Sequence, residues 1–147
     1  MKNVTQFTRR AYLMIGIFTI LITGNSCAKK TTFLTSTVVP AAEGSILLKR
    51  DKNKNYVITV KMVNLAEVER LQSIPKKVYV LWMENEEGLT KNLGQINSTH
   101  EFITKKLKAS LETVSASKPT KIYVTAEDES NVSFPSSMLV LQSKPIR

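Results

Sequence analysis

The clearest alternation of apolar positions lies in residues 76–95, KKVYVLWMENEEGLTKNLGQ. Val78, Val80 and Trp82 fall on one side of an extended chain, and Tyr79, Leu81 and Met83 fall on the other. A strand apolar on both faces belongs in the middle of a sheet. The polar ENEEG that follows is a turn signal, and Leu93 and Ile96 mark a returning strand over residues 90–97, so the stretch predicts a hairpin.

The same period of two runs through most of the chain. A first edge strand is expected over residues 34–39, ending at Pro40, and Ile46 and Leu48 open the next one. The polar DKNKN turns the chain at residues 51–55. On the return, Ile58, Val60 and Met62 share one face while Thr59 and Lys61 take the other, which is the half-buried pattern of an antiparallel strand. Residues 64–76 are the one place where a helical turn fits, with Leu65, Val68 and Leu71 at near-helical spacing before Pro75, and they read as an ordered crossover between two sheets. Further extended segments are expected at residues 101–107 and, briefly, within 107–117. Ile122, Val124 and Ala126 then alternate with Tyr123 and Thr125, and residues 138–142 supply the last strand. With prolines confined to the joints, about seven to nine short strands predict an all-β fold, an antiparallel immunoglobulin-like β-sandwich over residues 43–147.

Residues 1–10 are polar and basic without an acid, and residues 11–24 are an uninterrupted apolar run. Fourteen residues suit the apolar region of a secretory signal, whereas a membrane span needs about 20. The run ends in ITGNSC, which contains the only cysteine of the chain, Cys27. This junction resembles a bacterial lipoprotein signal peptide, with Gly24 and Asn25 loosening the lipobox in the manner of Bacteroidetes lipoproteins. The resemblance implies that residues 1–26 are removed, that Cys27 carries thioether-linked diacylglycerol and an amide-linked palmitate-like chain, and that residues 27–42 form a tether reaching the first strand. Two or more acyl chains give durable attachment where one is marginal. Ala28 after the cysteine, and the lack of an acidic tract in AKKTT, imply an outer-membrane address facing the periplasm. No second cysteine is left to form a disulfide, so the domain must hold together by burial alone.

A length of 147 residues with 42% hydrophobic content suits a single core. Removing Lys2, Arg9 and Arg10 takes the net charge from +9 to +6. The remaining lysines are scattered through turns and outward strand positions without interleaved aromatics, so a solvated surface, and no nucleic-acid partner, is the expectation.

The residue types of common catalytic and metal sites do not assemble in the sequence. The single histidine, His100, falls in NSTHEF, read as a solvated turn, and no second histidine or spare cysteine completes a zinc or copper shell. Glu84, Glu86 and Glu87 cluster in one turn and Glu127, Asp128 and Glu129 in another, without the alternate-residue spacing of a calcium loop. Met62, Met83 and Met138 sit on strands, where packing is their ordinary role. Gly44, Gly88 and Gly94 are isolated, so no phosphate loop is present. Trp82 and Tyr79 are expected between the layers of the sandwich; an open aromatic face at these residues would instead suit a carbohydrate. No catalytic residue, cofactor or metal is expected, and a hydrolase using the acidic turns is the weaker alternative.

The order GSILLK, VITVKMVNL, VYVLWMEN, LGQI and KIYVTAEDESNVSFPSSMLVL, spanning residues 44–143, resembles the extracytoplasmic C-terminal domain of anti-sigma-K factors. The positions that carry the likeness are Tyr79, Trp82, Gly94, Thr125, Glu127, Pro135 and Ser136. The resemblance implies an outer, non-catalytic binding or signalling domain with an envelope-protein partner. Only ten residues precede the apolar run, so the sigma-binding part of that family is not expected here.

Overall fold

The computed structural model describes residues 28–71, 75–100 and 107–146. They form β1 (Lys29–Thr32), β2 (Glu43–Arg50), β3 (Tyr56–Val63), β4 (Val78–Asn85), β5 (Thr90–His100), β6 (Leu107–Ser115), β7 (Pro119–Glu127) and β8 (Leu139–Gln142). All pairs are antiparallel, and the strands make one curled sheet in the order β1-β2-β3-β6-β5-β4-β7-β8. The all-β expectation is met, with a single 3-10 turn at Val68–Arg70 as the only helical piece among the described residues.

The sequence pattern suggested two separate sheets, and β5 is the reason there is one. Its first part pairs with β4 through Ile96, and its last four residues, Asn97 to His100, pair with β6. A bulge lies where Leu81 and Trp82 face Gly94 and Asn92, and bulges bend and twist the strand that carries them. Gly94 has φ +116°, a conformation that side chains rarely adopt. The free edges also meet. Leu34 N–H donates to the Gln142 carbonyl at 2.8 Å and Lys144 N–H to the Thr32 carbonyl at 3.0 Å, so β1 and β8 are stitched at one point beside the Phe33–Ser143 bridge.

Inside the curl lies one apolar core. Ile46 and Leu48 from β2, Ile58, Val60 and Met62 from β3, Tyr79, Leu81 and Met83 from β4, and Ile122 and Val124 from β7 are all buried in it. Gly44 belongs to the same packing: a Cβ there would stand 2.7 Å from Phe33 Cδ2 and 2.8 Å from Met62 Cγ, so its bare backbone lets Phe33 seat at the seam. The β3–β4 connection crosses one end of the curl as expected. Leu65, Val68 and Leu71 are buried under it, and the Tyr79 hydroxyl donates to the Ala66 carbonyl at 3.0 Å. Because β3 lies beside β6 while β4, β5 and β6 follow one another by hairpins, these four strands form a Greek key.

Several local expectations are corrected. The first strand is at Lys29–Thr32, not residues 34–39, so much of the expected tether is folded into the domain. Residues 34–39 turn instead: Ser36 Oγ donates to the Val140 carbonyl and accepts from the N–H groups of Val38 and Val39, a local bonding choice that competes with a strand ladder. Residues 101–106, expected to be extended, lie outside the described residues. The segment given only a minor extended piece is the nine-residue β6, paired with β3 from Lys108 to Ser115. His100, expected in a turn, is the last residue of β5, opposite Leu107.

Candidate functional site

The second face of β4 carries the arrangement that sequence alone left scattered. Val80 and Trp82 point away from the main core, and Trp82, expected between the layers, is instead 0% exposed on the outside of the sheet. Tyr79 does lie in the main core. Trp82 packs with Val80, Tyr123, Val78 and Val132, its ring 6.5 Å from that of Tyr123 with planes 15° apart. The cover is the β7–β8 connection, residues 128–138, held down from β5 by Asn92, whose side-chain amide donates to the carbonyls of Ser130 and Val132 at 3.0 and 2.9 Å.

A hydrogen-bonded chain ties this cover to the strands. Trp82 Nε1–H donates to Thr125 Oγ1 at 2.8 Å, and the Thr125 hydroxyl donates to Glu127 Oε1 at 2.5 Å. Ser136 N–H donates to the same carboxyl oxygen at 2.7 Å, and the Ser136 hydroxyl donates to the Ala126 carbonyl at 2.9 Å. Strand register explains the convergence. Thr125 lies opposite Val80, Glu127 opposite Val78 and Tyr123 opposite Trp82, so the odd-numbered residues of β7 share the outer face with the even-numbered residues of β4. Pro135 precedes Ser136 and fixes the approach of the loop. Of the seven positions singled out in sequence, Trp82, Thr125, Glu127, Pro135 and Ser136 therefore meet in one place. Gly94 shapes the neighbouring strand and Tyr79 belongs to the opposite face.

The chemistry of this cluster is closure. Thr125 and Glu127 are buried, and every buried side-chain nitrogen and oxygen among the described residues has a hydrogen-bond partner. Glu127 Oε1 is engaged by Thr125 and Ser136, and the Ser136 hydroxyl is committed to a backbone carbonyl, so these three residues do not present a free nucleophile beside a base. Asn92 was missed in sequence, since a polar residue on a strand resembles any outward-facing side chain. Its signal was the neighbouring Gly94, whose N–H donates to Asn92 Oδ1 at 2.8 Å within the bulge.

The acidic turns do not converge on a common point. Glu84 pairs with Lys121 at 3.0 Å, Glu86 with Lys118 at 2.7 Å and Asp128 with Lys76 at 2.8 Å. The bond to Glu86 raises the Lys118 pKa above its ordinary value. No group of three histidine, cysteine or acidic residues able to hold a metal is found among the described residues. Among the described residues Tyr79 is a buried titrating group with a large shift: burial, and secondarily the charge of Glu69, push its hydroxyl up to about 12.

Two of the open hollows on the described surface have basic side chains in their walls. One of about 500 Å³ runs between residues 32–35 and 40–45, with Lys61 and Val63 at its side. The other, of about 360 Å³, is lined by Lys29, Lys49, Arg50, Tyr56 and Lys118 with an apolar floor of Leu48, Pro119 and Ile146. The exposed large apolar side chains among the described residues are Leu34, Val38 and Leu139 around the β1–β8 seam, Leu89 after the β4–β5 turn, Val114 on β6, and Phe134, 82% exposed on the loop that covers Trp82. Among the described residues no helix is long and apolar enough to cross a membrane; Cys27 and the apolar run before it lie outside them. Comparison with family models, curated proteins and solved structures finds no match to this chain.

Proposed function

We propose that this chain is a bacterial lipoprotein whose β domain is held at the outer membrane, facing the periplasm, as a non-catalytic binding or signalling module for another envelope protein. The observation that carries the reading is the basic start, apolar run and ITGNSC junction, with the folded domain beginning two residues beyond Cys27 at β1. Such spacing suits a body seated against its anchor. The commitment of Thr125, Glu127 and Ser136 to closing the loop supports a binding role over a hydrolytic one. From the anti-sigma-K outer domain the proposal takes the architecture and the partner class alone.

The carbohydrate alternative required an open aromatic face at Tyr79 or Trp82, and both are buried. For a protein partner, the exposed Phe134 is the natural first contact, since a large apolar side chain displayed on a hydrogen-bonded loop resembles a binding anchor. The test has two readings. Intact mass of the membrane-extracted chain should show acyl chains on Cys27 that Cys27→Ser abolishes. A photo-crosslinking residue at position 134 should give a discrete adduct with one envelope protein, and unmodified Cys27 or a featureless crosslinking pattern would overturn the respective half.

A further inference from the structure

The sheet register gathers basic side chains on one side of one end of the domain. The start of β1 lies opposite Leu48, Arg50 pairs with Tyr56, Tyr56 with Ser115, and Asn85 with Pro119. Hence the N-terminal entry and the β2–β3, β4–β5 and β6–β7 hairpins all lie at the same end. On its β1–β2–β3 side stand Lys29, Lys30, Lys49, Arg50, Lys52 and Lys54, all exposed. The acid among them, Asp51, is turned inward on its own hairpin, accepting from the N–H groups of Asn53 and Asn55 at 2.8 Å each and from the Asn55 side chain. Elsewhere at this end Glu86 is paired with Lys118, and Glu87 is exposed on the β4–β5 turn. At the opposite end, the signs are mixed among the described residues: Glu67 pairs with Arg70 and Asp128 with Lys76.

We infer that this basic end is a membrane-docking surface, which lies on anionic phospholipid headgroups and holds the domain with the Phe134 loop turned away from the bilayer. Three observations select a lipid surface. The cations surround the point where the chain enters the domain, two residues after Cys27, so an anchored molecule presents this end to the bilayer first. Their charge is opposite to that of acidic headgroups, and clustered lysines and arginines next to a membrane attachment are drawn to such a surface. The 360 Å³ hollow lies within the cluster, and Arg50, 4.7 Å above the Tyr56 ring, is held at its rim. A second, ionic attachment would convert a swinging tether into a fixed orientation. The inference rests on the proposed anchor, but it concerns orientation.

The test uses the full chain extracted from membranes and reconstituted on vesicles of phosphatidylcholine alone or of phosphatidylcholine with phosphatidylglycerol. Lysine acetylation is followed residue by residue by mass spectrometry. Lys49, Lys52 and Lys54 should label several-fold more slowly on the anionic vesicles, while Lys61 and Lys77 label equally on both. Concentrated salt should erase the difference, because it screens exposed charges. The slower labelling on anionic vesicles should extend to Lys30, exposed at the same end, and combined Lys49→Glu, Lys52→Glu and Lys54→Glu should abolish it there, each basic residue near the surface being worth about fivefold in binding, with the near-ultraviolet circular dichroism of Trp82 reporting that the fold survives. Equal labelling on both vesicles, or protection spread evenly over Lys61 and Lys77, overturns the inference. Acylation is read separately from intact mass. A chain without acyl groups refutes the anchor, and slower labelling of Lys49, Lys52 and Lys54 of that chain on anionic vesicles, or its absence, then decides for or against the basic end on its own.

Discussion

The two faces of β4 are built on different principles. On the inner face, Tyr79, Leu81 and Met83 join a core supplied by nearly every strand, so each contributes to a large pool of mutual contacts. On the outer face, Val80 and Trp82 have Tyr123, Val78 and Val132 for apolar company, and a loop closes over them by hydrogen bonds that Asn92 donates to its carbonyls and that its Ser136 N–H donates to Glu127. The inner face is stable because many residues are apolar. The outer one depends on a few polar groups meeting at the right distance, and a buried polar network is strong only when every member is satisfied. The comparison predicts that damage inside weakens the whole domain, whereas damage outside releases the loop first.

Trp82→Ala should give the largest effect. Removing a fully buried indole costs about 3–5 kcal/mol, against about 2–5 kcal/mol for Leu81→Ala on the opposite face. Either loss is a large share of the stability of a small domain, which is typically about 5–15 kcal/mol. The location of the damage distinguishes them. Amide hydrogen exchange should rise in residues 128–138 of Trp82→Ala before the strands open, while in Leu81→Ala the strands and the loop should exchange together. Identical exchange maps for the two variants would erase the distinction between the faces.

Thr125→Val sharpens the same contrast at smaller cost. The substitution keeps the shape of the side chain but leaves the indole N–H of Trp82 without its acceptor and Glu127 Oε1 without one of its donors. Orphaning a buried group costs about 1–3 kcal/mol, so urea denaturation should shift by that amount and the Ser136 amide should lose protection. If the Ser136 amide exchanges as slowly as before, the loop is held by Asn92 and the packing of Val132 rather than by the polar chain.

Much of this was legible in the residues, and the gaps have physical causes. The alternation in β3 and β7 is written in apolar side chains, so their inner faces follow directly from the sequence, whereas β4 is apolar on both faces, which marks it as a strand without telling that Trp82 lies on the outer one. Leu107, Ala109, Leu111, Thr113 and Ser115 face one way along β6, but the row fades into small and polar residues, and the alternation is lost where burial is shallow. β1 is KKTT, a strand without any apolar residue, held by pairing with β2 and by Phe33 just after it. The outer cluster was visible only as separate positions. That Trp82 reaches Thr125 and Glu127 depends on the β4–β7 register, and that Ser136 returns to them depends on a loop path that periodicity does not encode. The charge segregation escaped notice for the same reason: lysines scattered in sequence become neighbours when hairpins end at the same level.

The smallest effect at neutral pH, and the one that separates the faces by their response to alkali, is expected for Tyr79→Phe. Its hydroxyl donates to the Ala66 carbonyl, and losing a bond of this kind costs about 1 kcal/mol. In alkali the sign turns. The folded-state pKa is raised to about 12 from an ordinary value of 10.0, chiefly by burial, so the buried hydroxyl keeps its proton where the unfolded chain has given it up. Its contribution is complete below the unfolded value and is lost as pH climbs from there toward the folded one, at up to about 1.4 kcal/mol per pH unit. The parent protein should therefore lose stability across that window faster than Tyr79→Phe, and the two urea midpoints should converge and cross. The crossover should open first beneath residues 64–71, since Tyr79 is what fastens that connection to the inner face. Parallel pH curves for parent and variant would mean that the hydroxyl is already wet, and that the inner face is closed at this end by Leu65, Val68 and Leu71 alone.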